Sequence, residues 1–461
     1  MNLNERNTGS QTFIGMLKII LFLSLPTMLE QLLHTAVQYI DTAMVSSLGT
    51  QATAAVGSTT TVNWLIGSTI SALGVGFLAN ISQLLGAGNT EKARRVSAQA
   101  VTTVIAAGIL FTILTVSLSG IIPVWMQADK EIRGMASGYF RILYMPVLFR
   151  TASTVFGTIL RASGDTKTPL FVGMTVNILN IVLNFLLIYP TRDITIFGTT
   201  FRCAGAGLGI NGAALASAAA YTFGGTLMTI ELWRHKTISP KGYGLLPDIK
   251  VLKPCMRVAF PNMLQRFATS LGYVAFASMI NSLGETATAA HTIANTVESL
   301  FYIPGYGMQT AAATLAGAAY GAGDRQGMKR LSRTILPLEV FLMIISGGLL
   351  FVTAPQLMRV FSFDEAVISL GGTVLCMVAV SEPFYGVPIV LEGMLQGRGR
   401  TVVPFVFNIL GMWCVRIVGT FVCINILGLG LVSAWGCMIA HNLLLFVLFS
   451  VHYVWCERKS V

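Results

Sequence analysis

Apolar runs recur along the whole chain, and short stretches rich in Gly, Pro, Asn and charged residues separate them. Runs of about 20 residues are long enough for an α-helix to cross the hydrocarbon core of a membrane. The pattern predicts twelve such helices, at residues 14–45, 53–82, 94–119, 135–160, 168–190, 211–233, 254–281, 287–317, 330–353, 366–394, 402–425 and 429–454. We therefore expect an all-α polytopic membrane protein. The first run is too long, and too interrupted by Pro26 and Glu30, to be a cleaved signal peptide.

The composition supports this interpretation. Apolar residues make up 54% of the chain, charged residues only 11%, and the mean hydropathy is +0.71. A soluble domain carries about 25% charged residues, so soluble enzymes and nucleic-acid-binding proteins are excluded. The seven cysteines show no metal-ligand spacing, and we interpret them as small packing residues.

The net charge of +11 is informative when the positions of the Lys and Arg residues along the chain are considered. When the N-terminus is placed in the cytoplasm, most of the 30 Lys and Arg residues fall in cytoplasmic loops or tails. Basic residues resist translocation and collect on that side. The pattern predicts a multi-pass protein of the cell membrane with both termini cytoplasmic, and the charge gives no reason to expect a nucleic-acid partner.

An internal repeat organises the chain. Gly86-Ala-Gly returns as Gly321-Ala-Gly, and the string RASGDTKTP ending at Pro169 returns as QGRGRTVVP ending at Pro404; each second copy lies 235 residues after the first. Several coincidences in register indicate duplication of a six-helix unit. Because six is even, both halves enter the membrane in the same sense, and their pseudo-twofold axis should follow the membrane normal.

The repeat predicts an N-terminal lobe at residues 1–233, a basic linker rich in Pro and Gly at 234–253 and a C-terminal lobe at 254–461. Two parallel bundles of this kind suggest alternating access, with a substrate cavity between the lobes. That inference rests on analogy of architecture.

No nucleotide-binding phosphate loop occurs in the chain, and no connector is long enough for a nucleotide-binding domain. A pump of this type would use a gradient of H+ or Na+, and we expect no cofactor, no metal site and no catalytic residues. Ion coupling requires an ionisable site inside the membrane, where an unpaired charge is costly. The candidate acids are Glu30, Asp41, Glu298, Glu339, Glu382 and Glu392.

A polar stripe runs along the first predicted helix. Glu30, His34, Gln38 and Asp41 are spaced by 4, 4 and 3 residues, which places them on one helix face. Such a face must meet protein or water rather than lipid. For the first three side chains, the alternative to a functional role is that they only form hydrogen bonds with polar neighbours inside the bundle. For Asp41 a functional role is favoured, because a carboxylate at that depth of the membrane is energetically costly and marks a functional site.

Three asparagines share one face of the fifth predicted helix: Asn177, Asn180 and Asn184. Their carboxamides could coordinate a cation or hydrogen-bond a protonated Asp41. The alternative is that they form amide contacts between helices that help packing.

Buried charges in the second half suggest a different chemistry. We expect Arg266 to pair with Glu298 or Glu382, and Arg416 with Glu392, because an unpaired buried charge costs several kcal/mol. An acid left without a cation would instead attract a cationic substrate.

Several strings resemble the MATE (multidrug and toxic compound extrusion) family, and the resemblance spans nearly the whole chain. They are VQYIDTAMVSSLG ending at Gly49, LRASGDTKTP ending at Pro169, TAAHTIANTVESLFYIPGYG ending at Gly307 and LEGMLQGRGRT ending at Thr401. The resemblance implies a two-bundle antiporter that exports organic, often cationic, compounds in exchange for H+ or Na+. The larger superfamily also holds lipid-linked oligosaccharide flippases.

The resemblance also implies roles for single residues. Asp41, in the string IDTAMV, matches the first-helix aspartate of the family, which is implicated in binding a cation or a proton. Asn180 matches an asparagine of the same site. Asn184 stands where some members have a second aspartate, so proton storage would fall on Asp41 alone.

In the sodium-coupled members, acids stand at positions that align with Thr269 and Tyr385 of this chain, and neither residue is acidic here. Glu382 lies one turn from Tyr385 and could substitute. This departure weakens a sodium site in the C-terminal lobe. Glu298 matches a glutamate of some bacterial members. The expected substrate cavity combines Glu30, His34, Gln38, Glu298, Glu382 and Tyr385.

Three other interpretations remain open at this point. A flippase would need a strongly cationic cavity floor, and only Arg266 and Arg416 lie deep, with acids nearby. A membrane-embedded enzyme would need clustered catalytic groups, and a receptor would not need the duplication or Asp41. We expect a monomer whose partners are a small-molecule substrate and the lipid bilayer. The substrate itself and the choice between H+ and Na+ do not follow from the residues.

Overall fold

The computed structural model describes residues 12–196 and 199–459, except for the side chains of residues 194–201, 203 and 457–459. Both chain ends, which we expect to be cytoplasmic, lie outside the described residues. The described part of the first half contains α1 (Phe13–Ser46), α2 (Thr50–Gly86), α3 (Thr90–Leu118), α4 (Ile122–Trp125), α5 (Lys130–Tyr144), α6 (Val147–Ala162), α7 (Lys167–Ile188), strands β1 (Pro190–Ile196) and β2 (Thr199–Ala206), and α8 (Gly209–Arg234).

The second half repeats the helical pattern. It contains α9 (Ile249–Asn281), α10 (Glu285–Phe301), α11 (Ile303–Gly321), α12 (Arg325–Phe361), α13 (Glu365–Gly397), α14 (Val402–Ile409), α15 (Val418–Phe421) and α16 (Leu431–Lys459). Two π-helical segments, Leu410–Ile417 and Val422–Ile426, join α14 and α15 into one continuous span.

Nine of the helices in the described part are long and apolar enough to cross a membrane, and the bent pair α5–α6 makes a tenth span. The two other predicted spans correspond to α9 and to the pair α10–α11, which carry more polar residues. Two of the predicted helices are broken where proline interrupts them. The α5–α6 pair bends by 50° beside Pro146, and α10 ends just before Pro304.

The hairpin of β1 and β2 was not predicted. The strands pair antiparallel between α7 and α8, with Ile194 opposite Phe201 in the backbone register. These strands are only seven and eight residues long, so the pattern of long apolar runs identifies this segment as a connector between helices.

Backbone conformation preserves the repeat. Gly49 and Gly284, which are 235 residues apart, both precede a helix with positive φ, at 109° and 99°. Gly164 and Gly399 are related in the same way, with φ of 87° and 75°. Only glycine adopts this region without strain, which explains why glycine stands at both copies.

The two halves meet where α2 crosses α11. A Cβ atom on Gly86 would overlap the carbonyl of Ala318, and one on Gly321 would overlap the carbonyl of Gln83. Exchanging the halves, which adds 235 to residue 86 and subtracts 235 from residue 318, converts the first contact into the second, so the pseudo-twofold axis passes through this crossing. The Gln83 Nε2 atom also donates to the Gly397 oxygen at 2.8 Å. The lobes are therefore in close contact at the helix ends that lead into the basic loops.

Adding a methyl group at this crossing should separate the lobes. We expect Gly321→Ala to lower the free energy of unfolding by about 1–3 kcal/mol, because the new Cβ atom has no room against the Gln83 carbonyl. Thermal unfolding of the purified protein in detergent would show the loss. Gly348→Ala is the matched control, since no atom lies within 4 Å of its Cβ position. Equal melting temperatures for the two variants would contradict the prediction.

The connector from His235 to Asp248 packs back against α3. The Arg95 Nη2 atom lies 2.6 Å from Asp248 Oδ2, and Gln99 Nε2 donates to the Leu246 oxygen at 2.8 Å. His235 Nδ1 accepts the backbone N–H groups of residues 237 and 238, both at 3.3 Å. This Nδ1 atom can accept only when it carries no proton.

The connector should loosen in acid. Burial lowers the pKa of His235 below its ordinary value of 6.5, so the open connector binds a proton more readily than the packed one. Stability is therefore retained above pH 6.5 and lost as the pH falls towards the lowered pKa. Hydrogen exchange of residues 235–248, corrected for intrinsic rates, should increase from about pH 7.5 to about pH 5.5. The increase should vanish in His235→Asn; an equal increase in that variant would exclude His235 as the cause.

Candidate functional site

The structure brings together the three residues predicted to bind the coupling ion. Asn184 Nδ2, on α7, donates to Asp41 Oδ1, on α1, at 2.6 Å. One turn earlier on α7, the Asn180 amide can turn its NH2 group towards Asp41, where its nitrogen lies 2.9 Å from Oδ1 and 3.1 Å from Oδ2. Asn180 and Asn184 are buried, with 6% and 1% of their surface exposed. One carboxylate is thus bound by two carboxamides from a neighbouring helix.

Ser217 completes this cluster and was not predicted. With the Asn180 amide in that orientation, its carbonyl accepts from Ser217 Oγ, on α8, at 3.1 Å. The serine stands in the alanine-rich string GAALASAAAY, where a small polar residue gives no signal of a site. Its contribution comes from the packing of α7 against α8. The hydrogen bond from Ser217 therefore holds the Asn180 amide in place.

Arg150 is a partly buried base of the first lobe that forms no ion pair in the described part of the chain. Its Nη1 atom lies 3.3 Å from the Tyr144 hydroxyl, and its guanidinium is 5.2 Å from the Tyr221 ring centre. Both Asp41 and Arg150 act electrostatically on Tyr139. Arg150 is therefore held by aromatic side chains rather than by a carboxylate of the described residues.

Glu30 is ion-paired. Arg161 Nη2, at the end of α6, lies 2.6 Å from Glu30 Oε1 and 2.7 Å from Oε2, and the two side chains are only 16% and 24% exposed. This ion pair is a polar contact within the bundle, which is the alternative to a role for Glu30 in the substrate cavity. His34 and Gln38 are exposed on the same helix, and the charges of Glu30 and Arg150 act on His34. A role for these residues in a substrate cavity remains a prediction.

Four acids are buried in the described part of the second lobe: Glu298, Glu339, Glu382 and Glu392. Glu298 accepts a hydrogen bond from the Tyr302 hydroxyl, and the Tyr302 ring meets that of Tyr385 edge to face at 5.1 Å. Glu382 and Glu339 are 1% and 0% exposed, and their carboxyl oxygens have no hydrogen-bond partner in the described part of the chain. Glu298, Glu382 and Tyr385 therefore lie together, inside the bundle rather than on an open surface.

The expected ion pairs of the second lobe were wrong. Arg416 does not pair with Glu392; its guanidinium lies 4.1 Å from the ring centre of Phe276 and 4.9 Å from that of Tyr273. Arg266 forms no ion pair with a described carboxylate. Arg416 lies in a π-helical segment, where 3.6-residue periodicity does not predict side-chain direction. Carboxamides, which we had not considered, bind Glu392 instead.

Together these features define a polytopic membrane transporter with a duplicated bundle and a buried carboxylate site. A family model for MatE matches residues 26–186 and 261–422, and the chain belongs to this family. The predicted resemblance is confirmed, as is the fold of twelve transmembrane helices in two six-helix bundles related by a parallel repeat.

The relatives cover nearly the full chain. A probable multidrug resistance protein NorM of Thermotoga maritima is 27% identical over 447 residues, which span 96% of this chain and 94% of that protein. A probable multidrug resistance protein YoeA of Bacillus subtilis is 24% identical over 447 residues, spanning 94% and 93%.

Solved structures show the same fold. A MOP superfamily transporter from Pyrococcus furiosus superposes with a TM-score of 0.85 at 23% identity, covering 96% of this chain and 95% of that chain. An outward-facing MATE family multidrug resistance transporter superposes with a TM-score of 0.86, at the same identity and coverage.

Proposed function

We propose that this protein is a secondary antiporter that exports organic, often cationic, compounds in exchange for H+ or Na+. The observation that carries the proposal is the Asp41 cluster, in which one intramembrane carboxylate is bound by Asn184 and faces Asn180. A carboxylate with carboxamide neighbours can bind a proton or a small hard cation, and carboxamides can face either state by turning their oxygen or nitrogen towards it. The names of the relatives, which are multidrug resistance proteins, support the substrate class.

The positions of Asp41 and its partners support a mechanism. Asp41 is on α1 and its amide partners are on α7, so loading or releasing an ion changes the contact between these two helices. α1 contains Pro26, which lacks a backbone N–H and leaves the helix less tightly bonded one turn before Glu30. The ion binds with the cavity open outward, α1 shifts, and the contracted cavity expels the substrate.

Coupling then requires only that the ion and the substrate shift the conformational equilibrium of the transporter in opposite directions. The ion and the substrate compete for the cavity or favour different states of the same two-state element, and the inward-open state releases the ion to the cytoplasm. In this proposal the protein is a monomer of the cell membrane with both termini cytoplasmic. It needs no cofactor other than the coupling ion, and it acts as a transporter rather than an enzyme.

Transport in proteoliposomes tests the proposal. A fluorescent organic cation is loaded, and an inward gradient of H+ or of Na+ is imposed separately, with a choline gradient as control. We expect efflux to follow one or both of the ion gradients and to stop when a protonophore or a Na+ ionophore removes it. Efflux at the rate of protein-free liposomes under both gradients would contradict antiport of this substrate class.

A further inference from the structure

The second lobe contains a buried carboxylate that the proposed mechanism does not use. Glu392, on α13, is 8% exposed. Its Oε1 atom accepts from Gln265 Nε2 at 3.1 Å and from Gln396 Nε2 at 2.9 Å, and its Oε2 atom accepts from Asn408 Nδ2 at 3.2 Å. Three carboxamides from α9, α13 and α14 thus surround one carboxylate. They are neutral, so they hold its charge without cancelling it.

The repeat shows what stands at the same place in the first lobe. Subtracting 235 from the four residue numbers gives Glu30 for Gln265, Arg161 for Gln396, Gly157 for Glu392 and Gly173 for Asn408. The first-lobe positions are also neighbours: a Cβ atom on Gly173 would lie 3.5 Å from Glu30 Cγ, and one on Gly157 would lie 3.7 Å from Arg161 Nη1. Each lobe therefore places one carboxylate at this locus.

The two loci differ in charge. In the first lobe the Arg161 guanidinium touches both oxygens of Glu30, so the locus carries its own cation. In the second lobe Gln396 replaces that arginine, and Glu392 forms no ion pair with a described base. Burying a carboxylate without a cation costs several kcal/mol, which a bound positive charge would offset.

A carboxamide of this locus also has an oxygen that the described residues leave unsatisfied. The Gln265 Oε1 atom is buried and has no hydrogen-bond partner in the part of the chain described here, and the residue is 4% exposed. It belongs to the same carboxamide whose nitrogen contacts Glu392. Turning that amide about its terminal bond would direct the free oxygen at a proton or a cation on the carboxylate.

We propose that Glu392 is a binding site for a monovalent cation, H+ or Na+, at the place where the first lobe holds the Arg161 guanidinium. The ligands are the Glu392 carboxylate and the oxygen of Gln265, with Gln396 and Asn408 as further carboxamides that can turn their oxygens inward. This inference rests on the proposed function, because a second ion site in the other lobe would set how many ions accompany each substrate.

Glu392 shares its surroundings with other ionisable groups, but no described base forms an ion pair with it. Its charge acts on Tyr306 on α11 and Tyr385 on α13, and Tyr273 on α9 acts on the same two tyrosines. Arg266 acts on the same tyrosines as Glu392 but does not ion-pair with it, and Arg416 stacks on Phe276. The tyrosines are neutral when protonated and compensate nothing.

The test measures binding without substrate or gradient. The full-length protein in detergent carries Asp41→Asn, which silences the first-lobe site, and its melting temperature is recorded as NaCl replaces choline chloride at constant ionic strength, at several pH values. We expect Na+ or acidification to raise the melting temperature by a few degrees. Addition of Glu392→Gln should abolish this shift, whereas Glu365→Gln, an exposed change on the same helix, should leave it intact.

A second variant covers the case in which Glu392→Gln fails to fold. Gln396→Arg installs the cation found in the first lobe, so it should preserve folding and also abolish the shift. A response to Na+ at fixed pH identifies sodium, and a response to pH alone identifies a proton. If both responses persist in Glu392→Gln and Gln396→Arg, or if neither is present before them, the proposal is overturned. Retention of transport by Asp41→Asn would instead count against the proposed function, since this assay involves no transport.

Discussion

Asp41→Asn is expected to reduce gradient-driven efflux to the rate of protein-free liposomes. The substitution keeps the size of the side chain but removes the only group in the cluster with Asn180, Asn184 and Ser217 that can gain or lose a proton or supply a charge to a cation. Without it, the ion no longer biases α1 against α7. Proteoliposomes under separate H+ and Na+ gradients measure the loss.

Folding should survive this change. The new amide would meet the Asn184 NH2 group unless one of the two turns, which costs about 1–2 kcal/mol. Equal yield, monodispersity and a melting temperature within a few degrees of the native protein would therefore separate a coupling defect from a folding defect. Asn177→Ala is a useful comparison, because this residue shares the sequence pattern but forms no hydrogen bond with Asp41 in the structure. Undiminished efflux by Asp41→Asn would refute the assignment of coupling to this carboxylate.

Breaking the Glu30–Arg161 ion pair should have the second large effect. Arg161→Gln or Glu30→Gln alone leaves one poorly hydrated charge without its partner, and removal of one member of a buried pair costs about 3–5 kcal/mol. The side chains keep 16% and 24% exposure, so we expect about 3 kcal/mol, near the lower end. Melting temperature and yield in detergent would report the loss.

The double variant Glu30→Gln with Arg161→Gln should recover most of the stability. The double variant removes both charges, so neither is left without a partner. Glutamine also stands at both equivalent positions of the second lobe, where Gln265 and Gln396 bind Glu392. If the double variant is as unstable as the worse single variant, the ion pair is not the source of the effect. Transport by a stable double variant then decides whether Glu30 acts on the substrate, as the cavity prediction holds, or only joins α1 to α6.

The Asp41 cluster was largely predictable. Helical spacing placed Asn180 and Asn184 on one face, and the cost of an intramembrane carboxylate singled out Asp41. Ser217 was not predictable, because a serine in an alanine-rich helix has no signature until α7 and α8 are packed. The same limit applies to Glu30, whose partner Arg161 lies 131 residues further along the chain.

The second lobe shows where pairing by charge fails. Matching each buried base with an acid led to Arg416 with Glu392, whereas the arginine stacks on Phe276 and the acid is bound by carboxamides. Neutral amides donate hydrogen bonds to carboxylate oxygens as cations do, and nothing in a linear pattern distinguishes the two. The π-helical turn that carries Arg416 adds a further departure from regular periodicity.

By itself the sequence determined that this protein lies in a membrane, where its helices run and that its halves are duplicated, and it predicted Asp41 as the carboxylate for ion coupling. These properties are local or periodic: apolar runs of membrane length, a constant offset of 235 residues, and the cost of an acid at depth. Only the tertiary structure decided which polar groups meet, since each pair joins different helices at distances set by packing. It placed Asp41 among amides, Glu30 against Arg161, and Glu392 at a locus whose first-lobe counterpart carries its own cation.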